Sequence, residues 1–284
     1  MAAPSDPQAK IDRADKHIRS LARMILAFRK EAYTVSAYPA FMLETTMETR
    51  FDVVIFAEAA TEPPSLKWGP IIGDIVHGLR SALDQVAWKL SIEYQATVGS
   101  QPPPDPIPRK SPWRDVGFPA CRKSSEWPHQ FGTKLWGVDP ALKAVLKPFQ
   151  PFYGGKNPAD REPLAVLEEL WNIDKHRHLH LVNATIELRD VFSVKPFPGM
   201  PDLDFALVSK RAPGPFVGAT EIGRARPIDR PGIQTPRTNA PQVFMNPDLR
   251  PDVVFGEGPP AYGGSVLQTL RGIRKTVQNI VSAV

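Results

Sequence analysis

The chain has a single cysteine, Cys121, in 284 residues. An intramolecular disulfide is therefore excluded, and so is a zinc site built on several thiolates of one chain. One thiol fits a reducing compartment. Long apolar runs are missing as well. No stretch approaches the roughly 20 apolar residues that a spanning helix needs. The opening MAAPSDPQAKIDRADKHIRS contains no apolar signal core. The expectation is a cytoplasmic protein with no membrane partner. Familiar chemical fingerprints are lacking too: no P-loop, no Gly-rich turn opening a helix after a strand, no His-Glu-x-x-His and no nucleophile elbow. Nothing in the sequence implies a cofactor.

What is present describes a globular chain. An apolar share of 42% and a charged share of 23% are ordinary, and the length suffices for a hydrophobic core. Proline is the outlier. The 32 prolines amount to about 11%, roughly twice the usual share, and they cluster, so they mark loops. The net charge of +5 mildly favours anionic partners, RNA or an anionic small molecule among them. The charges are well mixed, so an ordinary basic surface accounts for it equally.

Residues 1–7 read as a loose leader. Helical spacing predicts a helix over 11–32, on Ile11, Ile18, Leu21, Ile25 and Leu26. Residues 33–46 and 50–57 change to the Val-, Phe- and Thr-rich pattern of two strands. The clearest helix spans 69–94, with Ile72, Ile75, Val76, Leu79, Leu83, Val86 and Leu90 on one stripe. Residues 98–130 read as a proline-rich loop, yet Trp113, Phe118 and Trp127 are anchors that a solvated linker rarely carries. That loop is expected to cover the helices. Asp139-Pro140 opens a short helix over 139–147, and Pro163 lies in another over 161–178. Strand and turn signals fill 181–255, and a last helix runs over 264–282. The expected architecture is a single α+β domain over 1–284: a bundle of about four main helices with a small antiparallel sheet packed alongside.

Two helices carry the candidate chemistry. On the first, His77, Arg80, Asp84 and Trp88 lie three and four residues apart and share a face next to the apolar stripe. A cation, an imidazole, a carboxylate and an indole together can bind an anion or serve acid–base steps. The bland alternative is a surface ion pair. On the second, the stripe of Leu164, Leu167 and Trp171 continues into Asp174 and His178, so polar groups fall on the line facing the core and need partners. Around them lie Asn172, Lys175, His176 and Arg177. A buried Asp–Arg lock between the two helices explains this pattern as well as a site does. His176, His178 and His180 alternate. As a strand they would aim three imidazoles at one metal ion; as a helix only 176 and 180 share a face. Cys121, with His129 nearby in FPACRKSSEWPH, is a further thiol candidate.

The runs GDIVHGLRSALDQVAWKL (73–90), FPAC (118–121), LKPFQPFYGG (146–155) and LEELWNIDKHRHLHLV (167–182) resemble those of a family of uncharacterised bacterial proteins. Its motifs have the form GD-x-x-H-x-LRSALD and N-x-DKHR. The likeness implies that Asp74, His77, Arg80, Asp84, Asn172, Asp174, Lys175, His176 and Arg177 are signature positions. A more distant likeness is to the HEPN group of helical-bundle proteins, which includes metal-independent ribonucleases of toxin and defence systems. Those enzymes carry Arg, four to six residues, then His; here that spacing occurs at Arg122 and His129.

Two readings follow. In the first the chain is a non-catalytic binding or structural protein whose polar cluster holds an anion, with a protein partner or a second copy of itself on its loops. In the second it is a HEPN-like endoribonuclease. There His77 or His176 would be the acid–base group, Arg80 and Lys175 would hold phosphate, and Asp84 or Asp174 would orient an imidazole. Asn172, Arg177 and Trp88 would complete the binding surface.

Overall fold

The computed structural model describes residues 6–31, 33–41, 51–59, 61–101, 103, 106–154, 158–176, 179, 181–185, 191–194, 203–210, 214–215, 219–227, 251–256 and 263–284. The fold is α+β, as the patterning predicts. The expected single domain resolves into two compact units, one of residues 1–23, 64–180 and 257–284, the other of 24–63 and 181–256. The physical reason lies in strand pairing. The two strand-rich segments, far apart in sequence, satisfy their backbone groups on each other and so form a unit of their own.

The first unit is a helical bundle. Its helices are α1 (Pro7–Glu31, of which residues 7–23 belong here), α2 (Ser65–Thr97), α3 (Trp127–Lys134), α4 (Leu142–Leu146), α5 (Pro163–His176) and α6 (Val266–Ala283). Helices α2, α5 and α6 pack on one another. The α2 stripe is buried from Ile72 to Val86, and the α6 stripe of Val266, Leu267, Leu270, Ile273, Val277 and Ile280 is buried throughout. Each such side chain taken fully from water contributes about 1.5–3 kcal/mol. Ser265 caps α6, its Oγ accepting from the Gln268 amide at 3.3 Å. On the part of α1 in this unit Ile11, Ile18 and Leu21 are buried; beyond it Ile25 is buried and Leu26 is 56% exposed.

Residues 98–130 are more structured than their prolines suggest. A 3-10 turn at Pro112–Asp115 and another at Ser124–Glu126 lead into α3, which Pro128 helps to open because its missing N–H is unneeded in a first turn. Trp113, Phe118 and Trp127 are 6%, 1% and 2% exposed, so the stretch is anchored on the bundle as expected. The Gly117 amide donates to the Lys134 carbonyl at 2.8 Å and closes the loop on itself. Buried Ser91 of α2 donates to the Trp136 carbonyl at 2.8 Å.

The second unit holds β1 (Tyr33–Phe41), β2 (Phe51–Ala59), β3 (Leu181–Thr185), β4 (Val191–Val194), β5 (Leu203–Lys210), β6 (Gly214–Pro215), β7 (Ala219–Pro227) and β8 (Pro251–Phe255). They form two antiparallel sheets, ordered β1-β2-β7-β5-β4 and β6-β3-β8. The 33–58 hairpin joins the later strands through β2 and β7, with Val53 opposite Ala225 and a bulge between Ile55 and Phe56. Arg29, in the C-terminal part of α1, is ion-paired with buried Asp252 of β8. Among the described residues no helix is long and apolar enough to cross a membrane.

Candidate functional site

Helix α2 brings its polar residues into two neighbouring rows, His77, Ser81, Gln85 and Arg80, Asp84, Trp88, each spaced by four. Both rows line one cleft of about 320 Å³, completed by Val116 of the covering loop and Trp171 of α5. From His77 to Trp88 the floor runs about three helical turns, roughly 16 Å.

Arg80 and Asp84 are committed at the centre. The guanidinium donates to Asp84 through Nη2 at 3.0 Å and Nε at 3.3 Å, and Nη2 also donates to the Phe118 carbonyl at 2.7 Å. Asp84 Oδ1 in turn accepts from the Phe118 amide at 2.9 Å. The pair therefore grips both polar groups of one loop peptide position, a charge-assisted clamp. Gly117 makes room for it, since a Cβ there would sit 3.1 Å from Asp84 Oδ1. The Arg80 side chain is 11% exposed and Asp84 36%.

Trp171 has cations over its ring. The Arg80 guanidinium lies 5.3 Å and the Lys175 ammonium 3.1 Å from its centroid. At the far end Trp88 meets Trp113 edge-on at 5.2 Å, and Trp113 meets Trp136 at 5.0 Å, which fixes the cover to the cleft wall.

The second polar run behaves differently. Asp174 and His178 were expected to face the core. Asp174 is exposed, as are Asn172, Lys175 and His176, because the buried stripe of α5 ends at Leu170. Of these, Asp174 touches the α2 helix: a Cβ on Gly73 would come within 2.8 Å of its Cγ. That contact takes water from the carboxyl and raises it above its usual range, and the Asp74 charge raises it further while His77 lowers it. His77 is thus near Asp174, but His77 is exposed and no hydrogen bond joins the two among the described residues. His176 does not line the cleft. Arg177, His178 and His180 lie outside the described residues, and the metal reading with them; among the described residues no group of three His, Cys, Asp or Glu side chains is placed to hold a metal ion.

Cys121 is buried, and its thiol is pushed up to about 12 by burial, then by the charges of Glu126 and Glu168. A thiol so protonated is no nucleophile near neutral pH. Its peptide is held by the Gln150 side chain, whose Oε1 accepts from the Cys121 amide at 3.0 Å, and the Phe152 amide donates to the Cys121 carbonyl at 3.2 Å. Arg122 pairs with Glu169 at 3.2 Å. His129 sits on α3, and Arg122 precedes it outside any helix, so the Arg–His spacing does not fall on one helix.

His77, Arg80, Asp84 and Trp88 line the cleft as the helix spacing predicts, and Ser81, Gln85 and Trp171 line it without having been expected. The signal was present: Ser81 and Gln85 continue the four-residue row from His77, and Trp171 stands four before Lys175. No protein-family model, curated protein sequence or solved structure matches the chain.

Proposed function

We propose that the chain is a binding protein and that the α2 cleft takes a small anion with a flat apolar body. The observation that carries this is Trp171 in the cleft wall with two cations over its ring, Arg80 from within the cleft and Lys175 from beside it, in a cleft that also holds Trp88. Arg80 is half neutralised by Asp84, but Lys175 has no carboxylate partner among the described residues. An acidic group would be drawn to these cations and an aromatic body would lie on indole surface. The ligand class is an aromatic carboxylate or one of like shape.

The second reading, a metal-independent endoribonuclease, has one observation in its favour: Asp174 feels the nearby His77. Against it, Arg80 and Asp84 are spent on the Phe118 backbone. An acid–base pair also needs hydrogen-bonding reach, which His77 and Asp174 lack.

Titration of the full chain with benzoate, read by tryptophan fluorescence, tests the first reading. A saturable change is expected, weakened several-fold by Lys175→Ala and by Trp171→Phe. No saturable change, or one that ignores both substitutions, removes the proposal. Incubation with RNA belongs in the same experiment. Cleavage to 2′,3′-cyclic phosphate ends that His77→Ala abolishes would establish the ribonuclease instead.

A further inference from the structure

On the other side of Arg80 lies a second, smaller cavity of about 100 Å³, bounded by the loop segment Phe118–Cys121, helix α3 and helix α5. It is more enclosed than the α2 cleft and is lined by Arg80, Glu126, Gln130, Lys134, Glu168 and Cys121. A cavity of this size takes a few waters or one small molecule.

Its charged groups divide into two kinds. Arg80 is held by Asp84 and Phe118. Glu126 Oε2 accepts from the Arg122 amide at 3.1 Å and the Lys123 amide at 3.3 Å. Those two are occupied. Lys134, Glu168 and Gln130 have no side-chain hydrogen bond or ion pair among the described residues. All three are only partly exposed. An ammonium and a carboxylate that line one small cavity gain by pairing. Both line the cavity without pairing to each other, beside the Gln130 amide, which can donate and accept.

We propose that this chamber binds a small zwitterion, an α-amino acid of the size of glycine or alanine, with its carboxylate toward Lys134 and its ammonium toward Glu168. Such a ligand satisfies both free charges at once and needs no net charge from the protein. An anion alone leaves Glu168 unpaired, and a cation alone leaves Lys134 unpaired, which a partly desolvated site resists. The size limit follows from the walls. A volume of about 100 Å³, with Pro119, Ala120 and Cys121 among its walls, favours a short side chain. The proposal does not rest on the reading of the α2 cleft, whose ligand is aromatic and enters on the other side of Arg80.

Calorimetric titration of the full chain with glycine, alongside acetate and methylammonium, tests it. Glycine is expected to bind in the millimolar range, with acetate and methylammonium each weaker by at least about tenfold. Glu168→Gln and Lys134→Met should each weaken glycine by a similar factor, with melting curves showing that both variants fold. The two substitutions act on separate helices, so one that fails to fold leaves the other as the test. Absence of glycine binding would show a chamber for water only and overturn the proposal. So would equal binding of acetate or methylammonium, or glycine binding that neither substitution affects. Phenylalanine, too large for the chamber, should not bind there.

Discussion

Helices α2 and α5 carry polar runs of similar density, and the two runs are used in opposite ways. On α2, Arg80 and Asp84 turn inward to hold the Phe118 peptide, and His77, Ser81, Gln85 and Trp88 line a cleft. On α5, Asn172, Asp174, Lys175 and His176 are exposed on the last turns of the helix. The difference comes from position along the helix. The α2 run lies mid-helix, with buried residues before and after it, so packing on both sides fixes where its side chains go. The α5 run begins where the buried stripe stops, and no cover lies over it among the described residues. A polar group is fixed in place when something packs against it; on α5 that holds for Lys175, whose ammonium lies on the Trp171 ring.

The largest effect should come from removing the cover's main anchor. Trp113 is buried between Trp88 and Trp136. Trp113→Ala should cost about 3–5 kcal/mol, read by urea unfolding of the helical unit. Limited proteolysis should then cut within 100–128 faster than in the parent chain. A loss below about 1 kcal/mol would mean that the stretch is not a packed cover, and the distinction between α2 and α5 would lose its cause.

Next in size is the clamp itself. Arg80→Ala removes three charge-assisted bonds and leaves Asp84 facing the Phe118 amide alone, for a loss of about 2–3 kcal/mol. On α5, Lys175→Ala and His176→Ala should each stay within about 0.5 kcal/mol. Equal losses on the two helices would break the comparison.

These contrasts also mark what the sequence could tell. The α2 and α6 stripes were legible because apolar spacing alone specifies a buried helix face, and every α6 stripe residue is buried. The face shared by His77, Arg80, Asp84 and Trp88 was legible because helix geometry fixes neighbours three and four apart. Three features were not. Helix α3 was hidden because prolines read as loop signals, although Pro128 sits where a helix tolerates it. The partner of the clamp is a backbone, Phe118, and no side-chain pattern announces a backbone. The exposure of Asp174 depends on where α5 stops being covered, a tertiary fact that helical periodicity extrapolates straight through.

The smallest effect concerns that residue and its contact with α2. The Asp174 carboxyl is raised from its usual value of 3.8, first by lost solvation against Gly73, then by Asp74, with His77 opposing. A carboxyl with a folded value above its unfolded value favours the folded state while protonated. That contribution is complete below the unfolded value and disappears as pH rises through the folded one. At neutral pH the charge is therefore held at a small penalty. Asp174→Asn removes the charge and keeps the shape. It should leave stability unchanged at pH below the usual carboxylate range and raise it slightly above, by a few tenths of a kcal/mol at most because the group is exposed. Gly73→Ala probes the same contact from the other helix. The added methyl displaces the end of a flexible, exposed side chain, while alanine gains up to about 1 kcal/mol over glycine in a helix interior. A net gain is expected, and it should be nearly the same in the Asp174→Asn background. Paired pH-dependent melts of the four chains decide it: a clear loss from Gly73→Ala that Asp174→Asn rescues would show that the carboxylate is gripped as firmly as Asp84, and that α5 shares in the lock after all.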